Sequence, residues 1–151
     1  MQNSTLSVQN YIAEAFGSLY TEGKSIRYSI AFRTIKRRKT MENILIIYKS
    51  KYGAAREYAQ LLGKALNTAP VSIDQARSQM VASADTIILC GGIYASSIAG
   101  LSFLKKNSAL LKGKQAAVFA VGASPYDQKT LEDLKKRHLS GSLEGIPLFY
   151  G

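Results

Sequence analysis

The sequence predicts an α/β protein in which residues 41–151 form a doubly wound parallel sheet. Three short apolar runs rich in Ile and Val, at Ile44–Tyr48, Thr86–Leu89 and Ala116–Val121, are typical of strands buried on both faces. Segments of helical periodicity separate these runs, and such alternation favours a sheet with helices on both sides. The 151 residues, 46% of them hydrophobic, suffice for one domain with a buried core.

The helices of this fold are predicted from apolar residues that recur every three or four positions. In the first helix, five apolar residues from Tyr58 to Leu66 share one face. The predicted helices are Ala54–Leu66, Leu101–Leu111 and a shorter, more polar one at Gln128–Arg137, and two further strands are predicted at Val71–Ile73 and Ile146–Tyr150.

The topology also predicts where a ligand binds. In doubly wound sheets the ligand lies beyond the carboxyl ends of the strands, at the point where the strand order reverses. Three predicted loops lead out of strands at that edge, namely Lys49–Ala55, Gly91–Gly100 and Gly122–Asp127. We therefore expect these loops to converge and to hold the binding residues.

Residues 1–40 differ in composition from the remainder of the chain. They hold 7 Lys or Arg and 2 Glu, whereas residues 41–151 hold 13 basic and 8 acidic residues. Most of this basic charge lies in residues 33–39, and such a run is typical of a solvated linker. Apolar residues at helical spacing predict an amphipathic helix over about residues 6–21. We interpret residues 1–40 as an N-terminal extension and residues 41–151 as the domain.

Composition narrows the classes of function. Cys90 is the one cysteine, so no internal disulfide forms, and a reducing, cytoplasmic setting is favoured. No stretch approaches the roughly 18 apolar residues that cross a bilayer, and no signal-peptide region is present. His138 is predicted at the end of the last helix in a structural role, and one His with one Cys disfavours a transition-metal site. The net charge of +10 favours acidic partners without choosing among them.

The first predicted loop has the character of a phosphate site. Residues Ser50–Ala55 join the first buried strand to a helix, and a helix that begins at a small-residue loop offers unpaired N–H groups to an anion. The glycine patterns of dinucleotide and nucleoside triphosphate loops are absent, which disfavours NAD and ATP. Taken alone, these residues favour the simpler interpretation of a tight turn with a Ser or Gly cap.

Three segments together resemble the cofactor loops of flavodoxin-domain proteins. They are Ile44–Ala54 (ILIIYKSKYGA), Gly91–Ala95 (GGIYA) and Ala120–Asp127 (AVGASPYD). The resemblance covers residues 43–150. It implies a flavodoxin-like sheet with strand order 2-1-3-4-5, and FMN as the cofactor.

The resemblance also implies which residues hold the cofactor. It places the phosphate in the first loop and the flavin ring between the other two, with Tyr94 as the ring-stacking aromatic. No catalytic residue is implied, because flavin carries the electron chemistry. The alternative is that Tyr94 is an ordinary surface residue and that Ser124–Asp127 is a turn before a helix capped by Asp127. The implied cofactor-binding residues are Ser50, Lys51, Tyr52, Gly53, Ala54, Ala55, Gly92, Ile93, Tyr94, Ala95, Gly122, Ala123 and Ser124.

The chain departs from the family pattern in two respects. Ala55 and Tyr52 stand where flavodoxins usually carry hydroxyl residues, and each missing hydrogen bond to the phosphate would remove roughly 1.5–3 kcal/mol. The sequence also ends at the fifth predicted strand, without the last helix of the family. One hypothesis is that the helix over residues 6–21 folds back onto the uncovered face. The alternative is that residues 1–40 are an upstream graft and that Met41 is the natural start.

Several functions remain open at this point. The resemblance implies an FMN-binding domain in electron transfer or flavin-dependent oxidoreduction, with a redox protein or a quinone as partner. One alternative is a truncated, non-catalytic remnant without flavin. Another is an enzyme similar to the quinone-dependent protoporphyrinogen oxidase, for which the basic charge would suit an anionic membrane surface. The helix over residues 6–21 faintly resembles the first helix of a TetR-type repressor, but nucleic acid is not the expected partner.

Overall fold

A computed structural model describes residues 43–123 and 127–151. Two predicted features of the N-terminal extension lie outside the described residues, namely the helix over residues 6–21 and the basic linker at 33–39. The division at residue 40 therefore stays a prediction. Ser124 also lies outside the described residues. In chain order the elements are β1 (Ile44–Lys49), α1 (Ala54–Leu66), β2 (Val71–Ser72), α2 (Ser78–Ser83), β3 (Thr86–Tyr94), β4 (Ser97–Ile98), α3 (Leu101–Lys106), a 3-10 turn (Ser108–Leu111), β5 (Gln115–Val121), α4 (Gln128–His138), a second 3-10 turn (Gly141–Leu143) and β6 (Leu148–Tyr150).

Five of the strands form a parallel sheet in the order β2-β1-β3-β5-β6. Counted among the parallel strands alone, this is the predicted order 2-1-3-4-5, so the fold-class prediction is confirmed. β4 stands outside this order and pairs antiparallel with the end of β3. The strand order reverses between β1 and β3, which places the carboxyl ends of these strands where such sheets bind ligands.

The side chains of the sheet alternate between two hydrophobic clusters, one on each face. On one face Ile46, Ile88 and Phe119 pack with α1 in the first cluster. On the other face Ile47, Leu89 and the remaining buried strand residues pack in the second cluster with α2, α3, α4 and both 3-10 turns. Burial on both faces explains why the strands appear as continuous apolar runs in the sequence.

The helix α1 is formed as the sequence predicts, from Ala54 to Leu66. Its buried residues are Ala55, Ala59, Leu62, Gly63 and Ala65, and Tyr58 packs on Phe119 with ring centroids 5.3 Å apart. Asn67 ends the helix in a left-handed conformation with φ 54°, which Asn tolerates better than most residues. Among the helices of residues 43–123 and 127–151, none is long and apolar enough to cross a membrane.

Two short features were not predicted because little sequence pattern encodes them. The helix α2 has six residues and buries only Val81, which is too few positions to show a period. The ammonium group of Lys114 stabilises its C-terminal end by donating to the carbonyl oxygens of Val81 (2.9 Å), Ala82 (2.7 Å) and Ala84. The predicted helix Leu101–Leu111 divides at Asn107, whose side-chain amide donates to the carbonyl of Phe103 at 2.8 Å.

Candidate functional site

The register of the parallel strands brings the three predicted loops to one edge of the sheet. Lys49 pairs with Gly91, and Gly92 pairs with Val121, so β1, β3 and β5 reach this edge at the same level. The chain leaves the sheet here after β1 and after β5, while β3 runs on into its hairpin with β4. The predicted convergence of the loops is therefore present in the structure.

The first loop is a tight turn that determines where α1 begins. The Oγ of Ser50 accepts a hydrogen bond from the backbone N–H of Gly53 at 2.9 Å. Gly53 is the N-cap of α1 with φ 96°, a conformation that glycine adopts without strain at Cβ. The N–H groups of Ala54, Ala55 and Arg56 follow in the first turn, where a helix has no internal acceptors. The loop therefore presents backbone donors and the positive end of the helix dipole at this edge.

The side chains of the first loop face different surroundings. Ala54 is exposed, whereas Ala55 is 1% exposed and packs in the first cluster. Lys51 and Tyr52 are exposed, and the Lys51 ammonium lies 5.3 Å from the centroid of the Tyr52 ring. The cation of Lys51 raises the local concentration of anions at the loop.

The second loop is built differently from the prediction. Residues Gly91–Tyr94 continue β3, so Gly92 and Ile93 are strand residues rather than loop residues. Ala95 (φ 49°) and Ser96 (φ 60°) then turn the chain into β4, as in a type I′ hairpin. Glycine and Asn are the usual residues at turn positions with positive φ. Because this turn has Ala and Ser instead, the sequence gives no indication of a hairpin.

Tyr94 connects the second loop to the first. Its hydroxyl oxygen accepts a hydrogen bond from the backbone N–H of Lys51 at 2.7 Å. Its ring meets the Tyr52 ring edge-on, with centroids 5.9 Å apart and planes at 70°. A Cβ on Gly92 would come within 2.5 Å of the Cζ of Tyr94, so the glycine leaves the space in which the ring lies.

The third loop leaves β5 next to the last strand. The N–H of Gly122 donates to the carbonyl oxygen of Gly151 at 3.0 Å. A Cβ on Gly122 would lie 2.5 Å from the hydroxyl of Tyr150, so a tyrosine also covers the backbone here. Burial, and secondarily Tyr58, raises the pKa of Tyr150. Ala123 is exposed, and Ser124 lies outside the described residues.

Three titratable residues at or near the site have structural roles. His138 is the last residue of α4, as predicted, and its Nε2 lies 2.7 Å from the carbonyl oxygen of Ser96 in the hairpin turn. Asp127 caps α4 by accepting from the N–H of Thr130, and hydrogen bonds from Thr130 lower the pKa of its carboxyl group. Cys90 is fully buried in the first cluster, where desolvation raises its pKa to about 12. The contact of His138 with Ser96 and the position of Tyr150 beside Gly122 are features of this edge that sequence patterns missed.

Two open clefts, of about 430 and 550 Å³, lie away from the three loops. The smaller is lined by the amino-terminal end of β1 and the C-terminal ends of α1 and α2, and the larger by the C-terminal part of α1 and the residues that follow it. The smaller cleft has no charged side chain in its wall.

The fold and the site define a class of protein: a doubly wound α/β domain in which a helix N terminus and aromatic side chains lie where the strand order reverses. A model of the flavodoxin domain matches residues 45–151. The chain belongs to the flavodoxin-domain family. Among curated proteins, none matches the chain.

Solved structures agree with this assignment at the level of the fold. A flavodoxin from the domain Archaea is 13% identical, with 73% of this chain and 84% of that chain covered and a TM-score of 0.52. The Megasphaera elsdenii flavodoxin is 19% identical, with 71% and 84% covered and a TM-score of 0.51. A flavodoxin, WrbA-like protein from Agrobacterium tumefaciens is 20% identical, with 72% and 83% covered and a TM-score of 0.51.

FMN is the cofactor that the flavodoxin domain implies, and the residues present fit it in two respects. The N–H of Lys51 donates a hydrogen bond to the hydroxyl oxygen of Tyr94. This N–H therefore points into the space between the first two loops, where it can meet an oxygen atom of a ligand. Tyrosine rings lie against the backbone of Gly92 and Gly122, so aromatic groups for a flat ligand are present at this edge of the sheet. FMN supplies one- and two-electron chemistry when bound, and the chain supplies binding, orientation and local hydrogen bonds.

Proposed function

We propose that this domain binds FMN at the edge formed by its three loops and exchanges electrons with a redox partner. The observation that carries the proposal is the 2.7 Å hydrogen bond from the Lys51 N–H to the Tyr94 hydroxyl. It joins the donors at the start of α1 to the aromatic side chain of the β3 hairpin. In FMN the phosphate group would need the backbone donors and the flat flavin ring would need the aromatic side chain, so the two features have to lie side by side.

The chain's residues divide between two tasks in this proposal. Backbone N–H groups of the first loop bind the phosphate, Ser50 fixes the turn, and the Lys51 ammonium attracts the dianion. Tyr94 contacts the ring, and no side chain acts as an acid or base. The contacts to the flavin ring are assigned by the resemblance to the remaining predicted residues, Gly92, Ile93, Ala95, Gly122, Ala123 and Ser124, of which Ser124 lies outside the described residues. The exposed ring of Tyr52 borders the phosphate site.

FMN binding is tested by quenching of flavin fluorescence on titration with the purified protein. Gly53→Ala places a Cβ on a residue with φ 96° and should distort the phosphate loop, which weakens FMN binding at least tenfold. Gly113→Ala is the matched control, because Gly113 also has positive φ (77°) and open space around it but lies before β5 at the other end of the sheet. No quenching by the unmodified protein, or equal weakening by both variants, would refute the proposal.

The charge of the chain indicates the kind of partner. A net charge of +10 and the exposed side chains of Lys49, Lys51 and Arg56 beside the site favour a redox protein with an acidic surface. The reduced, FMN-loaded protein should pass electrons to ferricyanide, an anion, at a rate that falls with added salt. Hexaamminecobalt(III), a cation, should show the opposite dependence. Sedimentation with vesicles of anionic lipid would instead indicate a membrane surface, from which a quinone acceptor is reached.

A further inference from the structure

We propose that Tyr94 sets the ligand affinity of this site, because in the free protein its hydroxyl holds a backbone donor that a phosphate would take. The inference rests on the proposed function, since it concerns the same loop. Tyr94 would then act in the ligand-free protein, by occupying the Lys51 N–H, as well as in the complex, by contacting the flavin ring.

The geometry makes the two acceptors mutually exclusive. The phenol oxygen of Tyr94 lies 2.7 Å from the amide nitrogen of Lys51. A phosphate oxygen that accepts from the same N–H would need that same position, since N–H···O bonds are about 2.7–3.2 Å long and close to linear. The hydroxyl must therefore leave before a phosphate can use this donor.

Two contacts hold the ring in the position that makes this bond. Gly92 leaves the space beside its own Cα in which the Tyr94 ring lies. The edge of the Tyr52 ring contacts Tyr94 on the side of the first loop, with a centroid distance of 5.9 Å. Ring atoms of Tyr94 take part in both contacts, so the ring keeps these neighbours when the hydroxyl is removed.

Removal of the hydroxyl should therefore strengthen ligand binding. In Tyr94→Phe the ring remains available for flavin, but the Lys51 N–H has no internal acceptor in the free protein. Because a neutral hydrogen bond no longer has to break on binding, the affinity should rise by about two- to tenfold. A residue that contributed its hydroxyl to ligand binding would show the opposite change.

The experiment has a ligand-free arm and two ligand arms. Amide hydrogen exchange of Lys51, followed by NMR without ligand, should be slow in the unmodified protein and faster in Tyr94→Phe. Tyr52→Phe is the matched control for this measurement. It removes a hydroxyl from the neighbouring aromatic ring, which is 79% exposed, and it should leave the hydrogen exchange of the Lys51 amide unchanged. Inorganic phosphate and FMN are then titrated into all three proteins, and Tyr94→Phe should bind both more tightly.

The outcomes separate this inference from the proposed function. Faster Lys51 exchange and tighter phosphate binding in Tyr94→Phe support the role of Tyr94 even if FMN binds to none of the proteins, a result that would overturn only the proposed function. Unchanged Lys51 exchange, or equal or weaker binding of phosphate by Tyr94→Phe, would overturn the role of Tyr94 while leaving FMN binding intact.

Discussion

The Nε2 atom of His138 lies 2.7 Å from the carbonyl oxygen of Ser96, across 42 residues of chain. A carbonyl oxygen only accepts hydrogen bonds, so Nε2 carries the proton and donates. Ser96 is the second residue with positive φ in the turn that follows Tyr94. The end of α4 therefore holds the hairpin that carries the aromatic side chain of the site.

Loss of this hydrogen bond should loosen the hairpin. We expect His138→Ala to lower the free energy of unfolding by about 0.5–1.5 kcal/mol and to weaken FMN binding by a few-fold. Thermal unfolding and a fluorescence titration measure the two effects. His138→Gln keeps a side-chain donor and should recover part of both, whereas an unchanged FMN affinity in His138→Ala would show that the hairpin is held by other contacts.

A hydroxyl added at position 54 should strengthen phosphate binding. Ala54 is exposed in the first turn of α1, so Ala54→Ser adds a donor beside the loop, worth up to about tenfold in FMN affinity. Ala55→Ser is the comparison, because Ala55 is buried and a hydroxyl there should lower the melting temperature. If Ala55→Ser tightened binding and Ala54→Ser did not, the loop would face the ligand differently from the structure.

The fold and the start of α1 could be predicted because the strands and the helix leave a pattern over many residues. Buried strands such as Ile44–Lys49 are continuous apolar runs, and α1 has a clear apolar face, so both were predicted within one residue at either end. Parallel pairing of these strands then places their carboxyl ends at one edge of the sheet, and the observed register brings them to the same level.

The hairpin and the long-range contacts of the site could not be predicted in the same way. Ala95 and Ser96 adopt positive φ although neither residue type favours it, so tertiary contacts override the local preference. The bond of Tyr94 to Lys51 spans 43 residues and that of His138 to Ser96 spans 42, and no spacing in one sequence encodes such pairs. Tyr150 reaches Gly122 only because β5 and β6 are neighbours.

Cys90 should be unreactive in the folded protein. Burial raises the pKa of its thiol to about 12, so the thiol stays protonated at neutral pH and no reagent can reach it. Labelling with Ellman's reagent at pH 8 should therefore follow unfolding and become rapid in denaturant. Rapid labelling of protein that retains its native circular dichroism spectrum would contradict this expectation.

The cap of α4 should contribute a pH-dependent part of the stability. Hydrogen bonds from Thr130 lower the pKa of Asp127 below its usual value of 3.8, so the folded state favours the charged carboxylate. This contribution is complete above about pH 4 and is lost as the pH falls through the lowered pKa. Asp127→Asn keeps a capping side chain without a titration. The melting temperature of the unmodified protein should consequently fall more between pH 6 and pH 3 than that of the variant, and equal falls would contradict the assignment.

The most direct test follows the backbone amides of the first loop by NMR while FMN is added to nitrogen-15-labelled protein. If these amides bind the phosphate, the resonances of Lys51, Gly53, Ala54 and Ala55 should shift with FMN. Riboflavin, which lacks the phosphate, should not reproduce those shifts. Saturating FMN that leaves these four resonances in place, or riboflavin that moves them equally, would contradict a phosphate site at the start of α1.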